Sequence, residues 1–378
     1  MTRIRRWWPA MAIALAACGG DGNGGQDPDD EGEPPVVGCT DGTLGASLIR
    51  VCFPADWNGG LVIYAHGYVQ PDAPLAIPDD PFGPAPADEV ITSLGYAYAT
   101  TSYRDNGLVA DLAVEDVADL EDEVRRTVRP DPTRVYLAGV SEGGLVAALA
   151  AERQGERYTG VLAACGPIGD FVRQLDYFND VRVVFDYFFP GVIPGSAIEP
   201  PASVRSGWEA TYAPAVIAAL TADPDAMQEL ATVTGVPTAG VDAAGLAAAI
   251  AEVLSYNVYG SADVQDRVGG QPYDNAERVY AGSSNDTALN DDVARFTANI
   301  LARASLSRYE TQGSPEVEIS ILHTSGDAVV PFFHQVVYEQ EVQSSGAGAL
   351  LTRTDVDRFG HCNFSSDELL AAFSALPQ

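Results

Sequence analysis

Residues 134–144 read Arg-Val-Tyr-Leu-Ala-Gly139-Val-Ser141-Glu-Gly143-Gly. A short apolar run breaks at a Gly-x-Ser-x-Gly turn and passes at once into the Ala- and Leu-rich stretch 143–154. Few features restrict a fold more. The chain must reverse sharply from strand to helix, which holds the Ser141 backbone in a sparsely populated conformation. Side chains at Gly139 or Gly143 would collide across the bend, so both positions need residues without Cβ. The turn lifts the Ser141 hydroxyl above the edge of a sheet. It also sets the backbone N–H of Glu142 at a helix N-terminus, where it can stabilise a developing oxyanion. The Glu142 side chain is read as a negative charge complementing that helix start.

The flanking pattern supplies the sheet. Apolar runs at 47–53, 61–65, 96–101, 134–140 and 161–164 are bounded by Gly, Pro and Asp, as strands are. Between them, Leu112, Val117, Leu120, Val124 and Val128 recur at helical spacing until Pro130 stops the run. Strand-like 317–322 and 350–354 and a helix at 366–376 complete the alternation. This predicts an α/β fold with a mostly parallel sheet covered on both faces. Residues 168–312 interrupt the rhythm with helices and with Gly/Pro-rich breaks at 190–201 and 269–273. They are expected to form a helical cap inserted into a core of 39–167 and 313–378.

Composition removes whole classes of function. All 21 basic residues are Arg, against 53 acidic ones, for a net charge of −32. Without Lys there is no Schiff base, no pyridoxal linkage and no P-loop lysine. The charge would repel nucleic acid, so no nucleic-acid partner is expected. Only His66, His323, His334 and His361 are available for imidazole chemistry, and none is spaced as a zinc motif. No metal or organic cofactor is expected.

Residues 1–17 carry Arg3, Arg5 and Arg6 and then an apolar stretch too short to span a membrane, the pattern of a signal peptide. It ends in Leu15-Ala16-Ala17-Cys18, which resembles the lipobox of bacterial lipoproteins. That resemblance implies lipidation of Cys18, a membrane anchor and a cell-envelope location. Residues 18–38 are expected to be a flexible tether, since 19–35 are almost devoid of apolar side chains. The four remaining cysteines imply two disulfides in an exported chain. Cys39–Cys52 is favoured because the pair flanks a turn read at Asp41-Gly42, which leaves Cys165–Cys362.

The strand–Gly139-Val-Ser141-Glu-Gly143–helix unit resembles the nucleophile elbow of the α/β-hydrolase superfamily, in particular exported bacterial esterases with a cap. The resemblance covers the core and not the cap. It implies a triad in the chain order Ser, acid, His. His361 then matches the base, in Phe359-Gly-His-Cys-Asn-Phe364 after the last strand. Asp327, in Thr324-Ser-Gly-Asp-Ala-Val-Val-Pro331, matches the acid that orients it, with Asp355 and Asp357 as rivals. Ala65-His66-Gly67-Tyr68 resembles the oxyanion loop, which makes the Tyr68 backbone N–H the second donor beside that of Glu142. Secreted feruloyl esterases and tannases are similar in placing a Cys beside the catalytic His, as Cys362 is placed here, but no Cys neighbours Ser141.

The implied function is hydrolysis of a carboxylic ester, small or polymeric, through an acyl-enzyme. A serine peptidase of the prolyl-oligopeptidase kind and a non-catalytic envelope binding protein are the alternatives. In the cap, Phe171, Leu175, Phe178, Val181, Phe185 and Phe188 recur at helical spacing and are read as core between cap and sheet rather than as a pocket lining. Asn285-Asp286 and Asn290-Asp291-Asp292 suggest calcium, but a helix cap before Val293 accounts for the second cluster.

Overall fold

The computed structural model describes residues 36–78, 81–82, 85–128 and 130–378. The segments expected to be a signal peptide and a tether, Cys18 included, lie outside the described residues except for 36–38. Eight strands form one sheet: β1 (Gly38–Leu44), β2 (Ser47–Phe53), β3 (Gly60–Ala65), β6 (Ala97–Thr101), β7 (Arg134–Val140), β8 (Gly160–Ala164), β9 (Ile319–Gly326) and β10 (Leu351–Phe359). Their spatial order is β1-β2-β6-β3-β7-β8-β9-β10. The pairs β1–β2 and β2–β6 are antiparallel, and every other neighbouring pair is parallel. Two short strands, β4 (Pro81–Phe82) and β5 (Ala85–Pro86), pair separately ahead of helix α1 (Ala87–Ser93).

The sheet follows from its sequence. Strands β3 and β8 are buried at every position, as continuous apolar runs in a two-sided parallel sheet must be. Helices α2 (Ala110–Thr127) and α3 (Glu142–Arg153) cover one face, packing Val117, Leu120, Leu145 and Leu149 against Leu61, Ile63 and Leu137. Helix α12 (Ser366–Ser374) covers the other face with Leu369 and Phe373 against Tyr136 and Leu162. Helix α11 (Phe333–Ser345) lies between β9 and β10 in the chain. This is the α/β-hydrolase fold.

Between β8 and β9 the chain runs through α4 (Phe171–Phe188), α5 (Ala202–Gly207), α6 (Ala213–Ala222), α7 (Pro224–Thr234), α8 (Ala243–Val268), α9 (Asp286–Asp292) and α10 (Ile300–Ser305). These helices have a core of their own, built around Phe185, Val204, Trp208, Leu230 and Leu254. Helix α8, 26 residues long, starts where Asp242 accepts from the Gly245 N–H and stops at Gly269 in the left-handed conformation.

Several local readings are corrected. The turn between β1 and β2 is at Gly45-Ala46, with Gly45 at φ 59°, and not at Asp41-Gly42. Asp41 instead sits within β1 directly opposite Arg50, and the two side chains form a two-pronged ion pair. Cys39 faces Cys52 in the same register, and a disulfide joins them. Strand β9 runs on to Gly326, beyond the 317–322 read from sequence, and takes in His323. Strand β10 extends to Phe359 and takes in Asp355 and Asp357. No helix starts at Val293. The capping is done by Asn285, which accepts from the Ala288 N–H at the start of α9.

Phe185 is fully buried where α4 meets the rest of the cap. Phe185→Ala should therefore destabilise the protein by about 3–5 kcal/mol. Urea unfolding would measure this; an unchanged midpoint would mean that the cap core is not packed as described.

Candidate active site

The elbow forms because three backbone segments meet within contact distance. A Cβ on Gly139 would lie 1.8 Å from the Gly143 carbonyl oxygen, and one on Gly143 would lie 2.0 Å from that of Ala65. No side chain fits either gap, so the two glycines let α3 start directly against β3 and β7. Ser141 takes φ 59° and ψ −123°, a conformation that L residues rarely adopt. It is held there by its own N–H donating to the Ala164 carbonyl at 3.0 Å and its carbonyl accepting from Gly144 at 2.8 Å.

His361 arrives from the far end of the chain. Strand β10 ends at Phe359, Gly360 turns at φ 110°, and the imidazole falls between two partners. Its Nε2 is 2.9 Å from Ser141 Oγ and its Nδ1 is 2.7 Å from Asp327 Oδ2. Asp327 follows β9, is 1 % exposed, and accepts on Oδ1 from the N–H groups of Val329 and Val330, both at 2.9 Å. Burial opposes the Asp327 charge, but His361 and His323 beside it more than offset that and hold the carboxyl well below its usual range. Burial likewise opposes charge on His361, but the Asp327 carboxylate outweighs it and raises the imidazole pKa above its ordinary value. With Asp327 accepting at Nδ1, the neutral imidazole carries its proton there and presents a lone pair at Nε2 to the serine.

The other residues singled out by sequence take distinct places. Cys165 and Cys362 are joined by a disulfide, and Cys362 Sγ lies 3.4 Å from His361 Nε2. The His66–Tyr68 loop runs beside the nucleophile: a Cβ on Gly67 would be 3.4 Å from Ser141 Cβ. His66 stacks on Tyr103 at 3.9 Å, and the His323 Nε2–H donates to the Val330 carbonyl. His334 contacts the Ile168 carbonyl and Gln174 and takes no part in the Ser141 line. Asp355 pairs with Arg353 and Asp357 accepts from Ser325, so neither rival acid reaches His361. Among the described residues, two groupings of Cys, His and Asp atoms have metal-like spacing, Cys165-His361-Cys362 and Cys39-Cys52-Asp88. Their sulfurs are committed to disulfides, so neither offers a thiolate.

Glu142 does something other than complement its own helix. Its carboxyl is buried and accepts from the Val109 N–H at 2.8 Å, capping α2 instead of α3. Burial, aided by nearby Asp263, raises its pKa to about 8 against the backbone donors that lower it.

Sequence reasoning missed how the helices inserted between β8 and β9 grip the site. From α4, Tyr177 Oη donates to the Ala328 carbonyl at 2.6 Å and Gln174 Nε2 to that of Val329 at 2.9 Å, clamping the loop that carries Asp327. From α8, the Glu252 carboxylate lies near enough to His361 to favour its charged form. The only hint of the clamp was two polar residues at i, i+3 on an otherwise apolar stripe. The stripe itself divides. Phe171, Leu175 and Phe178 line a cleft that also reaches Ser141, whereas Val181 and Phe185 are cap core. Counting the part open to solvent, the cleft measures about 700 Å³, with α8 opposite α4.

No protein-family model and no curated protein matches the chain. Solved structures resemble it at low identity. Feruloyl esterase B from Aspergillus oryzae is 16 % identical, with 84 % of this chain and 71 % of that one covered and a TM-score of 0.45. An acylaminoacyl peptidase from Pyrococcus horikoshii is 10 % identical over 87 % of this chain, at a TM-score of 0.41, and the match spans only 38 % of the peptidase. A serine hydrolase from Cycloclasticus zankles is 11 % identical over 89 % of this chain and 96 % of that one, also at 0.41. Likeness at this level concerns the fold alone.

The buried Glu142 carboxyl gives a signed expectation. Folded, it keeps its proton up to about pH 8, whereas an unfolded Glu loses it near 4.5. Between those values the unfolded chain binds fewer protons, so raising the pH favours unfolding. Glu142→Gln keeps an acceptor for Val109 and removes the titration. The variant should gain stability relative to wild type as pH rises from 4.5 to 8. Parallel stability–pH curves would contradict the assignment.

Proposed function

We propose that this chain is a serine hydrolase of carboxylic esters, with Ser141 as nucleophile, His361 as general base and Asp327 as the orienting acid. The observation that carries this reading is the unbroken line of hydrogen bonds from Ser141 Oγ at 2.9 Å through His361 to the buried Asp327 at 2.7 Å. A hydroxyl so placed loses its proton to Nε2 as its oxygen attacks the ester carbonyl. The oxyanion that forms is assigned to the backbone N–H groups of Glu142 and Tyr68. The imidazolium returns the proton to the departing alcohol. Water then repeats the sequence on the acyl-serine, releasing the acid and restoring Ser141. The apolar cleft over Ser141, walled by Phe171, Leu175 and Phe178, suits a hydrophobic acyl or alcohol group.

We further read the chain as exported and tethered by a lipid at Cys18. Two disulfides fit an oxidising compartment, and no described helix is long and apolar enough to cross a membrane. Anchorage would then rest on the acyl chains at Cys18, and Cys18→Ser should release the protein into the soluble fraction.

Ser141→Ala should abolish turnover of aryl esters, and Asp327→Asn should lower kcat by about 10⁴-fold because the wrong imidazole tautomer is favoured. Activity requires neutral His361, so kcat/KM should fall as the pH is lowered through a midpoint above 6.5. Glu252→Gln should move that limb to lower pH. Full activity in Ser141→Ala, or a limb that ignores Glu252, would contradict these roles.

A further inference from the structure

Among the residues that line the cleft over Ser141, two polar side chains are buried without a full set of partners. Asn257, on α8, is 1 % exposed and lines the cleft. Its Nδ2 faces three acceptors: Ala197 O at 2.8 Å, Asn179 Oδ1 at 3.0 Å and Ser261 Oγ at 3.1 Å. The Ala197 carbonyl can only accept, and Asn179 is fixed in turn because its own Nδ2 donates to Leu175 O. The Asn257 amide therefore cannot be flipped, and its NH₂ is committed to the cap. Its Oδ1 is buried and has no partner. In the same cleft the Tyr68 hydroxyl, whose ring packs against Tyr256, is also buried and unpartnered.

A buried acceptor left without a partner is unfavourable, so a donor that reaches Asn257 Oδ1 from the cleft is favoured. Most of the cleft wall is apolar: Phe171, Leu175 and Phe178 on α4 and Tyr256 and Val264 on α8 line it, with Gln174, Asn179 and Ser261 as further polar residues. We infer that the cleft selects esters in which the inserted portion is an apolar body ending in a hydrogen-bond donor, such as a terminal hydroxyl, accepted by Asn257 Oδ1. This deepens the ester reading and rests on it. A purely apolar cleft would favour the plain alkyl compound, because a hydroxyl loses its hydration there without return. The acceptor reverses that order, since a site built to bond a hydroxyl rejects the analogue lacking it.

The experiment uses the full chain and matched ester series. In one series para-nitrophenyl esters carry acyl chains of increasing length ending in methyl, hydroxyl or methoxy. In the other, acetate esters carry the same three endings on the alcohol. In at least one series, at one length, the hydroxyl compound should exceed its methyl analogue in kcat/KM by about tenfold or more. The methoxy compound, which accepts but cannot donate, should show no such gain. Asn257→Leu should abolish the preference for the hydroxyl ending, and a preference kept in the folded variant would overturn the inference; if that variant does not fold, the wild-type comparison of the three endings decides alone. Turnover of methyl esters at or above the hydroxyl compounds at every length would overturn the inference and leave the ester reading standing. Turnover of none of the esters would instead overturn the ester reading.

Discussion

A carboxylate sealed from water is unstable unless its surroundings answer its charge, and much of this molecule is arranged around one such group. Asp327 is held by two backbone N–H groups of its own loop and by His361. Removing a partner from a buried charge costs several kcal/mol, so each of these contacts is enforced by the fold. The loop stays in place because β9 delivers it to the sheet edge and because Tyr177 and Gln174 grip its carbonyls from the cap. The imidazole stays because Gly360 turns the chain after β10 and a disulfide ties the next residue to the end of β8. Charge stabilisation and the positioning of the imidazole are thus one arrangement.

The core of this arrangement was legible in sequence wherever a residue type is forced by contact. Gly139 and Gly143 admit no side chain, and the strand and helix on either side of them are strongly patterned. Asp327 and His361 sit in short motifs after predicted strands, and the resemblance to the α/β-hydrolase superfamily implied that they would meet at Ser141. What was not legible depended on partners distant in sequence. The turn at Gly45-Ala46 was displaced to Asp41-Gly42 because both pairs have turn chemistry. Only the cross-strand pairing of Asp41 with Arg50 settles the register. Glu142 was assigned to its own helix because the helix start of α2, 33 residues earlier, cannot be seen beside it in the sequence.

The cap shows the same boundary. Helical spacing identified the apolar face of α4 but not what lies against each turn of it. The first turns border the cleft over Ser141 and the later turns are buried among α5 to α8. Polar residues on that face, Gln174 and Asn179, look like interruptions in sequence. In the fold one clamps the acid loop and the other fixes the amide of Asn257. Helix α4 thus joins its own core to the loop that carries Asp327 and to the wall of the cleft.

The central claim is that Ser141 is made nucleophilic by His361. Treatment with a fluorophosphonate, followed by peptide mapping, tests it most directly. The account predicts a single modified serine, Ser141, and loss of that modification in His361→Ala with the fold intact. Modification of Ser141 at an undiminished rate in His361→Ala, or of a different serine in the wild-type chain, would contradict it.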